Sequence, residues 1–230
     1  VDDTAWDVSA MQDKSILAWY TTNANGSLKV YIGSDNEIFG NYNSSYLFAN
    51  IGSSNICTAT EAITNIGLLN VSSVTNMECM FWQTGWNAMT NFNLGDKFDT
   101  GNVTNMRKML SGVGYNAMTD ISLGSEFDTG KVTDMSRMFE NTGYYAMKKF
   151  DLGDKFDTSS VKDMSYMFTH CGVKLMTDID LGEDFNTENV TNMNYMFYSI
   201  GATAMTSLDL GDKFDTSKVT TMEAMFSGTG

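Results

Sequence analysis

The chain repeats itself every 29 residues, and this period restricts its fold more than any other feature of the sequence. The string FDTGNVTNMRKML begins at Phe98 and returns without insertion or deletion. A degenerate earlier copy runs from Leu69 to Phe81, and the later copies begin at Phe127, Phe156, Phe185 and Phe214. A fixed period of this length indicates units that pack against their neighbours in chain order. A motif repeated this often is better explained as architecture than as many copies of an active site.

The methionines follow the same period. Of the 18 methionines, only Met11 lies outside three ladders, which run from Met77 to Met222, Met80 to Met225 and Met89 to Met205. A thioether side chain is flexible and apolar, so it fills irregular gaps in a core. The ladders therefore predict a methionine-rich core and not a metal or haem site.

Within one unit, the apolar spacing predicts a short strand followed by a short helix. Residues 118–123 have the Met-x-x-Ile-x-Leu spacing of a leucine-rich-repeat strand. Residues 132–139 place apolar side chains at spacings of 3, 3 and 1, typical of about two helical turns. The predicted fold class is an α/β repeat solenoid, a leucine-rich-repeat-like stack of short parallel strands and short helices. The ladder Asp99, Asp128, Asp157, Asn186 and Asp215 is predicted to form turns, because Asn replaces Asp within it.

Residues 1–64 lack the repeat and are predicted to form a β-rich cap for a second region, residues 65–230, of about six units. Residues 15–20 and 28–33 read as strands joined by a hairpin turn at NANGS, and residues 46–52 as a further short strand. Because Gly230 falls where another strand would begin, we expect further repeats beyond it.

Composition argues against several classes of function. The formal net charge of -14 disfavours nucleic acid and anionic membranes as partners. No apolar run approaches the roughly 18 residues of a membrane span. Cys57, Cys79 and Cys171 match no metal-binding spacing, and the single histidine, His170, occupies a variable position and is expected to be exposed. We therefore predict a protein that is not an enzyme and has no metal or cofactor.

The units resemble those of BspA-like leucine-rich-repeat surface proteins of bacteria. The resemblance rests on SLDLGDKFDTSKVTTMEAMF, residues 207–226, and on its sibling copies, and it covers roughly residues 65–230. It implies a right-handed solenoid displayed on a bacterial surface, with adhesion or host binding as the expected role and no catalytic residue. We expect an extracellular location, with any export signal or anchor outside this sequence.

Two surfaces are candidates for partner binding. The first is the outward face of the strands, which is either a solvated face, a partner-binding face or a weak calcium site. Its residues are Asn93, Asp120, Ser122, Lys148, Lys149, Asp151, Asp178, Asp180 and Asp209. The second is a stripe of Trp86, Tyr115 and Tyr144, which either docks a sugar or peptide or covers the edge of the core.

The leading hypothesis is a binding module, expected to be monomeric, that recognises a protein or glycan through the strand face. The alternative is a structural stalk or spacer, with recognition elsewhere in a longer protein. Outward strand positions differ from copy to copy, which favours a tailored face, although drift at solvated positions has the same effect.

Overall fold

The structure is a computed structural model that describes residues 5–9, 11–153 and 155–230. Near the amino end, three strands form an antiparallel sheet in the order β1-β2-β3: β1 is Trp6–Asp7, β2 is Leu17–Thr22 and β3 is Leu28–Gly33. Trp19 lies opposite Tyr31, and their rings stack with centroids 5.4 Å apart. The predicted hairpin is therefore confirmed.

The remaining strands are short, parallel and in pairs. β4 (Ile38–Phe39) pairs with β5 (Leu69–Asn70), β6 (Asn91–Asn93) with β7 (Asp120–Ser122), and β8 (Lys149–Asp151) with β9 (Asp178–Asp180). Within the described residues, the only helical segment is a single 3-10 turn at Ile66–Leu68. The predicted α/β repeat solenoid with short helices is therefore wrong: the chain is nearly all-β, with small separate sheets.

The predicted helix is replaced by a run of turns, here called a turn segment, which recurs at 74–85, 103–114, 132–143, 161–172, 190–201 and 219–230. In the first of these, alternate backbone N–H groups donate to the next repeat, as Met77 does to the carbonyl of Asn105 over 2.9 Å. The intervening N–H groups bond three residues back, as Met80 does to Met77 over 3.1 Å. Cys79 (φ 55°) and Gln83 (φ 56°) have left-handed backbone, which an α-helix excludes. The 3, 3, 1 spacing therefore marks the inward positions of successive turns.

Asn and Asp side chains build these turns. Asp134 and Ser136 show the pattern: an Asp134 carboxylate oxygen accepts the Ser136 backbone N–H over 2.8 Å. Such a bond to the residue two positions on is the Asx turn. Asn76, Asn105, Asp163 and Asn192 repeat it. The predicted turn ladder is also confirmed, since Asp99, Asp128, Asp157, Asn186 and Asp215 each accept the N–H two residues on.

The methionine ladders form the core, as predicted. Every ladder methionine is buried except Met222, which is 46% exposed at the carboxyl end. A phenylalanine stack runs beside them, with ring centroids 5.5 Å apart for Phe139–Phe168 and Phe168–Phe197 and 5.7 Å apart for Phe197–Phe226. Stacked repeats therefore cover apolar groups that a single repeat would leave in water.

Polar side chains link successive repeats. Buried Thr129 donates its hydroxyl to the Asp157 carbonyl of the next repeat over 2.8 Å, and Thr100, Thr158 and Thr187 do the same in their own repeats. The described residues contain no buried side-chain nitrogen or oxygen without a hydrogen-bond partner. Each repeat is thus fixed to its neighbour by both apolar and polar contacts.

Residues 42–52 form a further turn segment that the periodicity did not predict. Asn43 pairs in parallel with Asn76, and Tyr46 (φ 60°) and Asn50 (φ 63°) have the left-handed backbone of the later copies. The ring of Phe48 stacks on that of Phe81, with centroids 5.5 Å apart. The strand predicted at 46–52 is therefore wrong. The offset between these two segments is 33 residues, as in the Thr75–Tyr42 bond, so a search at a period of 29 misses the copy.

Candidate binding surfaces

The strand face presents alternate residues of the short strands to solvent. In β8, Lys149 and Asp151 are exposed while Phe150 between them is 2% exposed. The same alternation holds in β6 and β9, where Phe92 and Ile179 point into the core. The positions predicted to face outward are all exposed: Asn93, Asp120, Ser122, Lys148, Lys149, Asp151, Asp178, Asp180 and Asp209.

Three aspartates of this face have a structural role that the sequence analysis did not assign to them. Asp151, Asp180 and Asp209 each accept the backbone N–H of the glycine two residues on, over 2.8, 3.0 and 2.9 Å. Asn93 accepts the Gly95 N–H in the same way over 2.8 Å. One oxygen of each side chain therefore closes the turn that follows the strand. The outward row of Asp120, Lys149 and Asp178 is not used in this way.

The described residues contain no group of three or more His, Cys, Asp or Glu side chains arranged to hold a metal ion. Two of the three thiols lie inside the stack: Cys79 and Cys171 are buried, and Cys57 is half-buried. Burial disfavours the thiolate and raises the pKa of both Cys79 and Cys171. Cys171 is therefore a core side chain in its thiol form at neutral pH.

The aromatic stripe has the continuity that its ladder spacing suggested. The rings of Trp86 and Tyr115 stack with centroids 4.1 Å apart, and those of Tyr115 and Tyr144 with centroids 4.8 Å apart. Partial burial raises the pKa of the Tyr115 hydroxyl. Trp86 also lies directly over Gly112, where an added Cβ would come within 2.8 Å of the indole ring. This close packing shows that the stripe covers the edge of the core, whatever else it does.

The stripe continues into a larger surface that the sequence analysis missed. His170 joins its two halves, with centroids 6.2 Å from the Tyr144 ring and 5.3 Å from the Tyr198 ring. Tyr198 in turn contacts the ring of Tyr195, which stacks on the ring of Tyr166 with centroids 4.8 Å apart. The guanidinium of Arg137 lies 4.0 Å from the centroid of the Tyr166 ring. We call this set the aromatic surface; it consists of Trp86, Tyr115, Arg137, Tyr144, Tyr145, Tyr166, His170, Tyr195 and Tyr198.

His170 differs from the expectation of an exposed loop side chain. It is half-buried between aromatic rings, and burial lowers its pKa from the usual 6.5, with the nearby Glu140 acting in the opposite direction. Imidazole in this setting favours its neutral form near pH 7. It therefore contributes a mainly apolar link between Tyr144 and Tyr198.

The geometry of the aromatic surface favours some ligands over others. Its most parallel rings stack face to face, as Tyr166 and Tyr195 do with an interplanar angle of 4°. Their faces are thus largely used within the protein, and ring edges and hydroxyl groups remain for a partner. Tyr145, which is 46% exposed, is the most solvent-exposed member of this surface. Ring edges with hydroxyls suit lateral contacts and hydrogen bonds with another protein more than the ring-face stacking used to hold sugars.

The described residues include no helix of the length and apolarity required to cross a membrane.

Comparison with known proteins places the repeats in a recognised family. The family model described as "Mycoplasma protein of unknown function, DUF285" matches residues 45–152 and 143–230. Its first match begins at residue 45, inside the additional turn segment at 42–52. No curated protein and no solved structure matches the chain. Because the two matches together span well over half of the chain, it belongs to the DUF285 family of repeat proteins.

Proposed function

We propose that this chain is a non-enzymatic binding module, displayed outside a bacterial cell, that recognises a partner protein through its aromatic surface. The observation that carries the proposal is the unbroken series of rings from Trp86 through His170 to Tyr166. The resemblance of the FDTSxVTxMxxMF units to BspA-like surface proteins supports adhesion as the setting. The family description, which names mycoplasmas, is consistent with a bacterial source.

The composition of the aromatic surface supports recognition of a protein. Tyrosine combines a large apolar area with a hydroxyl and few rotatable bonds, so it binds at a low cost in conformational entropy. The surface contains six of the chain's ten tyrosines. It extends across five successive repeats, and at a spacing of about 4.8 Å per repeat its length is about 20 Å. A patch of this length is compatible with the roughly 800 Å² per partner of a stable protein interface.

The strand face is a second candidate surface, with weaker support. The Asx turns of Asp151, Asp180 and Asp209 give that acidic row a structural explanation. The varied row of Asp120, Lys149 and Asp178 presents exposed charges that a protein or glycan could use. A spacer array is the competing function, and its support is the regular bonding of every repeat to the next.

The experiment is a binding screen of the chain against host matrix proteins and a glycan array, followed by variants of each surface. The chain supplies its own tolerated replacements: Ala202 occupies the ladder position of Tyr144, and Ala224 that of Tyr195. Tyr144→Ala combined with Tyr195→Ala should weaken a bound protein at least tenfold without changing the far-ultraviolet circular dichroism. Lys149→Ser, which copies Ser207, is the matched variant of the strand face.

Each outcome has a defined meaning. If only the variant with both tyrosines replaced loses binding, the aromatic surface is supported. If only Lys149→Ser loses binding, the binding function belongs to the strand face. A glycan ligand in place of a protein contradicts the proposed partner class. The spacer function is supported if no ligand is found and if the chain, fused to a separate binding domain, increases the distance over which that domain binds.

A further inference from the structure

One side chain joins the hairpin of β2 and β3 to the repeats by hydrogen bonds. The amide nitrogen of Asn25, at the tip of the hairpin, donates to the Ile56 carbonyl over 2.7 Å and to the Thr58 hydroxyl over 3.5 Å. Among the described residues, no other hydrogen bond connects residues 17–33 with residues 38–230. The attachment of the hairpin tip therefore depends on a single primary amide.

That amide is also placed where it can react with its own backbone. Asn25 is the only asparagine of the sequence that precedes a glycine. The backbone nitrogen of the residue after an asparagine can attack the side-chain carbonyl carbon and close a five-membered imide ring. A side chain on the attacking residue hinders this closure, and glycine has none. The surroundings of Gly26 add no hindrance, since nothing lies within 4 Å of where its Cβ would be.

The side-chain oxygen of Asn25 is held by two donors. Ser27 donates its hydroxyl to Oδ1 over 2.7 Å and its backbone N–H to the same oxygen over 3.1 Å. Negative charge develops on this oxygen when a nitrogen adds to the carbonyl carbon, and donors already in place stabilise that charge. The Gly26 N–H donates to the Asn23 carbonyl over 2.9 Å, and this bond must open before the attack. The tip is exposed, so water and hydroxide reach it.

We propose that Asn25 is a site of spontaneous deamidation, which converts the amide that holds the hairpin tip into a carboxylate. The Gly26 nitrogen loses its proton and bonds to Cγ of Asn25, while the Cγ–Nδ2 bond breaks and Nδ2 leaves as ammonia. Water then opens the imide at either of its two carbonyl carbons, which gives aspartate or isoaspartate. Water is the only other reactant, so the step requires no enzyme, oxidant or cofactor.

The product cannot make the bond that holds the tip. An ionised carboxylate only accepts hydrogen bonds, so it has no proton to donate to the Ile56 carbonyl, and the two oxygens repel each other. Deamidation therefore releases the hairpin tip from residues 56–58. Cys57, which is half-buried, lies between the two acceptors in the sequence, so its thiol becomes more accessible. Because the ammonia is lost, the release accumulates with the age of the molecule and is not reversed.

The test is to age the native chain in mildly alkaline buffer and to follow Asn25 by peptide mapping with mass spectrometry. Asn25 should convert at least tenfold faster than Asn23, which lies in the same exposed loop but precedes an alanine. Ser27→Ala removes the hydroxyl donor to Oδ1 and should slow the conversion severalfold. Ser27→Thr keeps a hydroxyl at this position and should convert at the wild-type rate.

The structural consequence is tested with Asn25→Asp, which has the product side chain from the start. Cys57 should react with a thiol reagent severalfold faster in this variant and in the aged chain than in fresh wild type. Thr21→Asp is the matched control, because it adds the same charge at an exposed hairpin residue that does not contact residues 56–58 by a hydrogen bond. The modification site is overturned if Asn25 converts no faster than Asn23. Release of the tip is overturned if Asn25→Asp leaves the reaction rate of Cys57 unchanged, or if Thr21→Asp raises it equally.

Discussion

Gly143→Ala, which adds a single methyl group, should test directly whether close packing inside the turn segment limits stability. Its φ of +55° is left-handed, and an added Cβ would lie 2.6 Å from the Cβ of Met147 and 3.0 Å from its sulfur. Met147 is fully buried, and its Cβ is fixed by the backbone, so side-chain rotation can relieve only the contact with sulfur. Gly143→Ala therefore combines left-handed strain of about 1 kcal/mol with overpacking of about 1–3 kcal/mol.

Gly153 in the same repeat is a matched control. Its φ is +83°, and nothing lies within 4 Å of an added Cβ, so Gly153→Ala should cost only the strain of about 1 kcal/mol. Urea unfolding followed by circular dichroism gives both free energies of unfolding, and the loss at Gly143 should exceed that at Gly153 by about 1–3 kcal/mol. Equal losses would show that contact with Met147 does not limit the turn, and the packing argument would then be wrong.

Three further predictions follow from the burial and bonding described above. Cys57 should react with a thiol reagent in the native protein, whereas Cys79 and Cys171 should react only on unfolding, because burial excludes the reagent and raises the pKa of both thiols. The single histidine, His170, should titrate below 6.5 by NMR. As the pH falls, the unfolded chain therefore binds this proton before the folded chain does. The contribution of neutral His170 to stability should be fully present above about pH 6.5 and decrease below it. His170→Asn should remove that part of the pH dependence. Asp134→Asn should keep the turn and stability, whereas Asp134→Ala should lower the free energy of unfolding by about 0.5–1.5 kcal/mol in a urea titration.

The repeat, the core and the hairpin could be predicted because each has a signal in residue type and spacing. The helix could not be excluded, because Asp and Asn accept backbone N–H groups both at helix starts and in Asx turns. Apolar spacings of 3, 3 and 1 also fit either structure. What decides the outcome is the left-handed backbone at Cys79, Lys108 and Arg137, and these residue types share no preference that a sequence could reveal.

The candidate surfaces show the same limit. Trp86, Tyr115 and Tyr144 could be found because they share one ladder, but His170 and Tyr198 belong to other ladders and meet them only through the turn geometry. The acidic row of the strand face did carry an unused signal. In three copies the aspartate is followed two residues later by glycine, which is a turn pattern, and the structure uses it as one.

The hydrogen bonding of each repeat to its neighbours, in both directions along the stack, has a mechanical consequence. Every junction is secured by the same kind of bonds across one period of 29 residues, as the Thr119–Thr90 and Thr133–Thr104 pairs illustrate. A chain pulled from its carboxyl end should peel away one repeat at a time, while the next junction still holds. Each released repeat adds a contour length of about 100 Å, given roughly 3.3–3.6 Å per extended residue. If the chain is displayed on a cell as we propose, such a stack would lengthen in equal steps under fluid shear and so limit the peak force on its ligand.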